Sequence, residues 1–213
     1  MLNEAGIERR KLLLDTTQRL MLEEGYAAVT TRRVAKEAGL TSALVHYYYP
    51  TTDDLLLAVC RRAHERHLER LAKALVAENP IQALWRLHRD PQATAFAAEV
   101  LALANHRKAV STEVAKDVEQ SRRMQVAALA GFMEKSGVDT GAGMDTGGLS
   151  PVVVAMAMAA ISRAMVTEKS HGVSLGHAEI DAAVENWSSQ FDRKAAPPAP
   201  PQATKRPPKR DRP

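Results

Sequence analysis

The sequence predicts an all-α protein, on three observations. Helix punctuation recurs along the chain: Gly25, Gly39, Asn79-Pro80, Asp90-Pro91 and Ser150-Pro151 stand where apolar helical stripes end or begin. Aromatic residues make up only 4 % of the chain, while Ala, Leu, Val and Met are plentiful, a composition that favours helices over strands. No stretch carries a convincing strand pattern, and no internal repeat is present. With 45 % apolar and 25 % charged residues over 213 positions, the composition is that of an ordinary globular protein, long enough for one large domain or two small ones.

The elements follow in order. Ile7, Leu13, Leu14, Thr17, Leu20 and Met21 form a helical stripe over about 6–24, which Gly25 ends. Thr31 is placed to cap a short helix, Arg32 to Ala38, with Val34, Ala35 and Ala38 inward; Gly39 ends it. Thr41 caps the next, Ser42 to about Tyr48, which Pro50 stops because the residue before a proline is pushed out of helical geometry. One long helix then runs to Asn79, with Thr51 as cap and Asp53 and Asp54 in the first turn, where negative charge suits the helix dipole. Further helices are expected over about 91–108, 112–136, 151–167 and 175–191, with a short one opening at Pro80. "GVDTGAGMDTGG" (137–148) reads as a flexible loop. The whole is a body of about nine helices followed, from about 195, by a disordered tail holding seven of the eleven prolines.

Charge and cysteine content narrow the function classes. The net charge of +4 arises from the tail: from Arg193 onward there are seven Lys/Arg and one Asp, leaving residues 1–192 with 22 basic and 24 acidic residues, a net of −2. Net charge therefore does not argue that the folded part binds nucleic acid; a motif must do so. The single cysteine, Cys60, excludes an internal disulfide and a cysteine-based metal site, and reads as a small buried side chain. The first stretch is charged and lacks a signal peptide's apolar run, and the longest apolar run, Val152 to Ile161, is shorter than a bilayer needs. A cytoplasmic location without membrane partners is expected.

The motif is "TTRRVAKEAGLTSALVHYYYP", residues 30–50, which spends three of the chain's four tyrosines on consecutive positions. Two short helices joined by a tight turn containing Gly39 have the pattern of a helix-turn-helix. With Val45 inward, Tyr49 also points inward, and Ser42, Ala43, His46 and Tyr47 fall on the outer side, where a helix in the major groove presents side chains to base edges. The stretch on to Leu56, with "KLLLDTTQRLMLEEGY" before it, resembles the DNA-binding signature of the tetracycline-repressor (TetR) family over about residues 9–56. The resemblance implies a three-helix helix-turn-helix domain (1–50), a larger helical ligand-binding and dimerisation domain (51–192) and, after it, the basic proline-rich tail (193–213). It implies that Thr31 and Arg32 touch phosphate or an edge base, that Ser42, Ala43, His46 and Tyr47 face the bases, that Tyr48 holds phosphate and that Tyr49 is core. Where the family has Lys near the start of the long helix, this chain has Thr52, which offers only a neutral phosphate hydrogen bond; Ala43 and His46 replace a frequent Gly and Tyr.

The resemblance further implies a small-molecule pocket in the larger domain, with Trp85, Phe96, Glu99, Leu103, His106, Met124 and Met158 as candidate lining and an apolar ligand as the family default. Glu99 and His106, seven positions apart on one helix face, are candidate polar handles, although most apolar residues on these helices simply form core. The last two helices, about 151–167 and 175–191, resemble the pair that forms the family's homodimer interface; burial within one monomer explains their composition nearly as well. "HERH" (His64–His67) lacks the His-Glu-x-x-His spacing of a zinc protease and reads as a solvated helix face. No Gly-rich phosphate loop, catalytic constellation, metal set or cofactor site is found. The expected function is a ligand-responsive repressor binding a palindromic operator in double-stranded DNA. The alternative is a helical small-molecule or partner-binding protein without sequence-specific DNA activity.

Overall fold

The computed structural model describes residues 4–137 and 150–195. Among them are nine α-helices and no strand. The expected loop at 137–148 and the basic tail lie almost wholly outside the described residues.

Helix α1 (Glu4–Glu24) starts earlier than its apolar stripe. Its buried face begins at Leu13, and Ile7 is 56 % exposed rather than inward, because the first two turns project beyond the elements that cover the rest. Gly25 follows with φ 82° and ψ 161°, an extended positive-φ conformation open essentially to glycine alone, and leads into a short 3-10 turn, Tyr26–Ala28.

Helix α2 (Thr31–Glu37) is capped by Thr30, not Thr31: the Thr30 hydroxyl accepts from the Arg33 amide at 3.1 Å. The helix therefore starts one residue earlier than expected, and Thr31 becomes its first residue. Helix α3 (Ser42–Tyr48) is capped by Thr41 as expected, through the Leu44 amide. Gly39, at φ 66°, makes the left-handed turn between the two helices. Val34, Ala35, Val45 and Tyr49 are buried with Leu13, Leu20 and Met21 of α1. Three short helices thus share one apolar centre.

Helix α4 (Thr52–Leu75) opens on a capping box. Thr51 accepts from the Asp54 amide, and the Asp54 carboxylate accepts in return from the Thr51 amide. Its first half closes the α1–α3 cluster through Leu55, Leu56, Val59 and Cys60; its second half enters a separate cluster through Leu71. Helix α5 (Pro80–His88) is capped by Asn79 and α6 (Pro91–Ala104) by Asp90, each with proline in its first turn, as expected. Helix α6 stops at 104 rather than 108, and α7 (Lys108–Lys135) begins directly after a break at Asn105–Arg107. Helices α8 (Pro151–Ser170) and α9 (His177–Ala195) complete the body.

Helix α4 packs on α1, α5 and α7; α7 packs also on α6 and α8, and α9 on α5. The second apolar cluster joins Leu71, Ile81, Leu84, Trp85, Leu129, Met133, Val154, Met158, Met165 and Phe191. By length and composition alone, α8 is among the described residues the one helix apolar enough to cross a membrane, yet Val154, Ala155, Met158, Ser162 and Met165 form a stripe buried in this core.

Candidate nucleic-acid interface

Helix α3 turns Val45 and Tyr49 inward, and its outer face carries the side chains expected to meet DNA. Ser42, Ala43, His46 and Tyr47 are exposed, as is Arg32 on α2, while Thr31, Tyr48 and Thr52 are half-buried. Tyr47 projects furthest, at 73 % exposure, braced edge-on by Tyr48 with ring centroids 5.1 Å apart. Tyr49 is tied down from within: its hydroxyl accepts from Arg10 Nε at 3.2 Å, across 39 residues of chain. The three consecutive tyrosines thus have three environments.

His46 is exposed but engaged. Its Nδ1 lies 3.0 Å from the Pro50 carbonyl, which can only accept, so Nδ1 carries the proton. Nε2 then accepts, at a longer 3.4 Å, from the Thr31 hydroxyl on α2. The imidazole spans both short helices and the turn that leaves them.

The basic residues of this face are few. Arg19 is paired with Glu23 (2.8 Å) and Glu37 (3.2 Å), which raises its pKa, and Arg33 is paired with Glu24 (2.8 Å) and Glu37 (3.3 Å). Among the described residues Arg32 and Lys36 make no ion pair and stay exposed. The surface offers phosphates two unpaired cations, amides and hydroxyls rather than a broad basic field.

Behind this face runs a polar seam. Glu99 Oε2 of α6 accepts from the Tyr26 amide at 2.8 Å, directly after Gly25. Tyr26 stacks on His106, with centroids 6.3 Å apart. Arg107 pairs with Asp53 in the first turn of α4 at 3.0 Å. A cleft of about 510 Å³ opens here, lined by residues that include Thr30, Thr52, Leu56, Leu103 and His106. A second cleft, of about 400 Å³, runs between α1 and the Arg66 and Gln92 side chains and is rimmed by charge.

The structure does not bring the seven candidate ligand residues together. Phe96 and Leu103 are buried in the cluster beneath the short helices. Glu99 is occupied by the Tyr26 backbone, and His106 is exposed on the seam. Trp85, Met124 and Met158 belong to the far cluster, where the Trp85 indole donates to Asp181 at 3.1 Å. A sequence shows which helix face a residue occupies, but not which of two cores that face enters.

The "HERH" segment is also not a solvated face. His64 lies between α4 and α7, 3.4 Å from Asp117 and from Gln120. Burial, with repulsion from His88, Arg70 and His64, pushes the His67 midpoint down to about 4. His88 is likewise lowered by burial, and its Nε2 donates to Gln125 at 3.3 Å. The signal that would have exposed this group is the i, i+4, i+8 spacing of Asp117, Ser121 and Gln125, a polar stripe along one face of α7. Among the described residues no three His, Cys, Asp or Glu are placed to hold a metal ion. Burial holds Cys60 as a thiol, its pKa pushed up to about 12.

Comparison with known proteins agrees with this geometry. Residues 13–59 match the family of bacterial regulatory proteins of the tetR type. By its helix-turn-helix domain, the chain belongs to the TetR family. The fold extends over the remainder. A TetR transcription regulator from Haloarcula marismortui superposes with a TM-score of 0.65 at 23 % identity, over 88 % of this chain and 98 % of that one. A putative transcriptional regulator from Saccharomonospora viridis, solved in complex with choline, gives 0.66 at 18 % identity, over 88 % and 95 %. Salmonella enterica GusR gives 0.64 at 15 % identity, over 91 % and 96 %. No curated protein matches the sequence. The chain has the TetR-type regulator fold, with a helix-turn-helix of the DNA-binding kind.

Proposed function

We propose that the chain is a homodimeric, ligand-responsive transcriptional repressor acting in the cytoplasm. Residues 1–50 read a palindromic operator, and 51–192 bind an effector and join two copies. The observation that carries this reading is the outer face of α3, where Tyr47 and its exposed neighbours Ser42, Ala43 and His46 stand clear of the packed side. In such a dimer two α3 helices enter successive major grooves about 34–36 Å apart.

The α8 surface supports the second copy. Opposite its buried stripe, Val152, Val153, Met156 and Ile161 are exposed, an apolar strip that a partner's α8 and α9 would cover. Helix α4 supports the coupling, since it begins beside the short helices and ends in the far cluster. An effector that binds one separation of the two α3 helices better than the other shifts the population toward it.

The test is selection of bound sequences from a random DNA pool at two salt concentrations. Recovery of an inverted repeat supports the reading. Tyr47→Ala then weakens the preferred sequence by about 1–3 kcal/mol and relaxes one position per half-site, read by comparing binding to single-base operator variants. A second reading, a helical binding protein without sequence-specific DNA activity, is favoured by the ion pairs that occupy Arg19 and Arg33. It predicts no enriched sequence and weak binding that vanishes as salt rises.

A further inference from the structure

The two apolar clusters are separated by a polar layer at mid-height of α4 and α7. Below it α4 contributes Val59 and Cys60 to one core; above it α4 contributes Leu71 to the other. Between them the side chains include His64 and His67 on α4 and Asp117, Ser121 and Gln125 on α7, with His88 reaching in from α5. Ser162 is fully buried on the stripe of α8 between Met158 and Met165, and its hydroxyl has no hydrogen-bond partner. Arg163, next in the chain, is close enough to repel a charge on His88, which puts this part of α8 at the level of the same layer.

We propose that this polar centre, formed by His67, His88, Ser121, Gln125 and Ser162, is the effector site, and that the effector is an organic anion carrying a carboxylate or phenolate. The proposal rests on the ligand-responsive reading above and replaces its default of an apolar molecule.

Two physical features support it. The first is unspent hydrogen-bonding capacity. Among the described residues His67 has no hydrogen-bond partner, His88 uses only Nε2, and Ser162 uses nothing. Buried polar groups in a finished core are almost always paired, so a set left unpaired on four packed helices points to a ligand that pairs them.

The second feature is sign. Every group that acts on His67 is basic: His64 and Arg70 on its own helix, and His88 on α5; Arg163 on α8 acts in turn on His88. The nearby carboxylates are engaged elsewhere, Asp90 with Arg70 at 2.6 Å and Asp117 with His64. An anion entering this layer meets hydrogen-bond donors and a field that favours it, and it allows His67 to take up a proton. Entry between side chains this deeply buried parts α4 from α7. Helix α4 carries Thr52 and the capping box beside the short helices, so this displacement reaches the DNA-binding face.

The experiment uses the full-length protein with histidine Cε1 labelled, and benzoate with its neutral isostere benzamide as probes at tens of millimolar. Benzoate is expected to move the His67 and His88 resonances and raise the His67 midpoint by about one pH unit or more, while benzamide leaves both in place. Ser162→Ala is expected to weaken the benzoate response several-fold while raising the thermal midpoint of the ligand-free protein, because an unpaired buried hydroxyl is removed; a purely structural serine predicts the opposite thermal shift. Equal responses to both probes, or no response to either, overturn the proposal. Operator binding is measured on the same preparation. Selective DNA binding without a benzoate response defeats this inference alone, whereas a benzoate response without selective DNA binding defeats the regulator reading instead.

Discussion

The apolar cluster beneath the short helices and the cluster at the far end of the body differ in how completely they close. The first gathers residues from α1 to α4 with Phe96, Leu103 and Val110, and its buried polar atoms find partners: Thr17 donates to the Leu13 carbonyl at 2.8 Å, and Tyr49 accepts from Arg10. The second is interrupted. A polar layer enters from α4 and α7, Ser162 is left unpaired, and the outward side of α8 stays apolar. A closed cluster holds a reading surface in one shape. An open one keeps free energy in reserve for what binds it.

The comparison can be broken at several points. The largest effect is expected from Leu20→Ala, which deletes a fully buried side chain from the closed cluster and costs about 2–5 kcal/mol, read as a lowered denaturant midpoint with loss of operator binding.

Next is acid sensitivity, which should belong to the open region. His67 titrates near 4 when folded against an ordinary 6.5, so the unfolded chain binds the extra proton between these values. Stability is full above about pH 6.5, is lost as pH falls toward about 4, and levels off below. For a group still partly exposed the loss is on the order of 2–3 kcal/mol. His67→Gln should flatten that part of the stability–pH curve; an unchanged acid limb would show that the burial is not felt.

Gly25→Ala comes third. The added methyl meets Glu99 only at ordinary contact distance, 3.5 Å, so the cost is backbone strain at φ 82°, about 1–3 kcal/mol by chemical denaturation. Thr51→Ala is the smallest. It removes the side-chain half of the α4 capping box and costs about 1 kcal/mol, with the greatest rise in amide exchange at Asp53 and Asp54.

Legibility followed the range of the forces involved. The Thr41 cap, the Asn79 and Asp90 starts and the inward pair Val45 and Tyr49 were readable because caps and helix faces depend on residues within one or two turns. Thr30 was overlooked because either of two adjacent threonines satisfies the same local pattern. Ile7 looked inward because periodicity does not reveal how far the covering elements extend. The candidate ligand residues scattered for the same reason. Their faces were correctly apolar, but Phe96 and Trp85 enter different cores.

By itself, the sequence determined the all-α class, the punctuation of its helices and the recognition face of α3, all consequences of local backbone preference and a 3.6-residue period. Only the tertiary structure decided that Glu99 holds Tyr26, that His46 bridges Thr31 and Pro50, and that His64 and His67 face α7 rather than water. Those contacts join residues 15 to 73 positions apart, or turn on which of several helices lies opposite, and no local pattern carries that information.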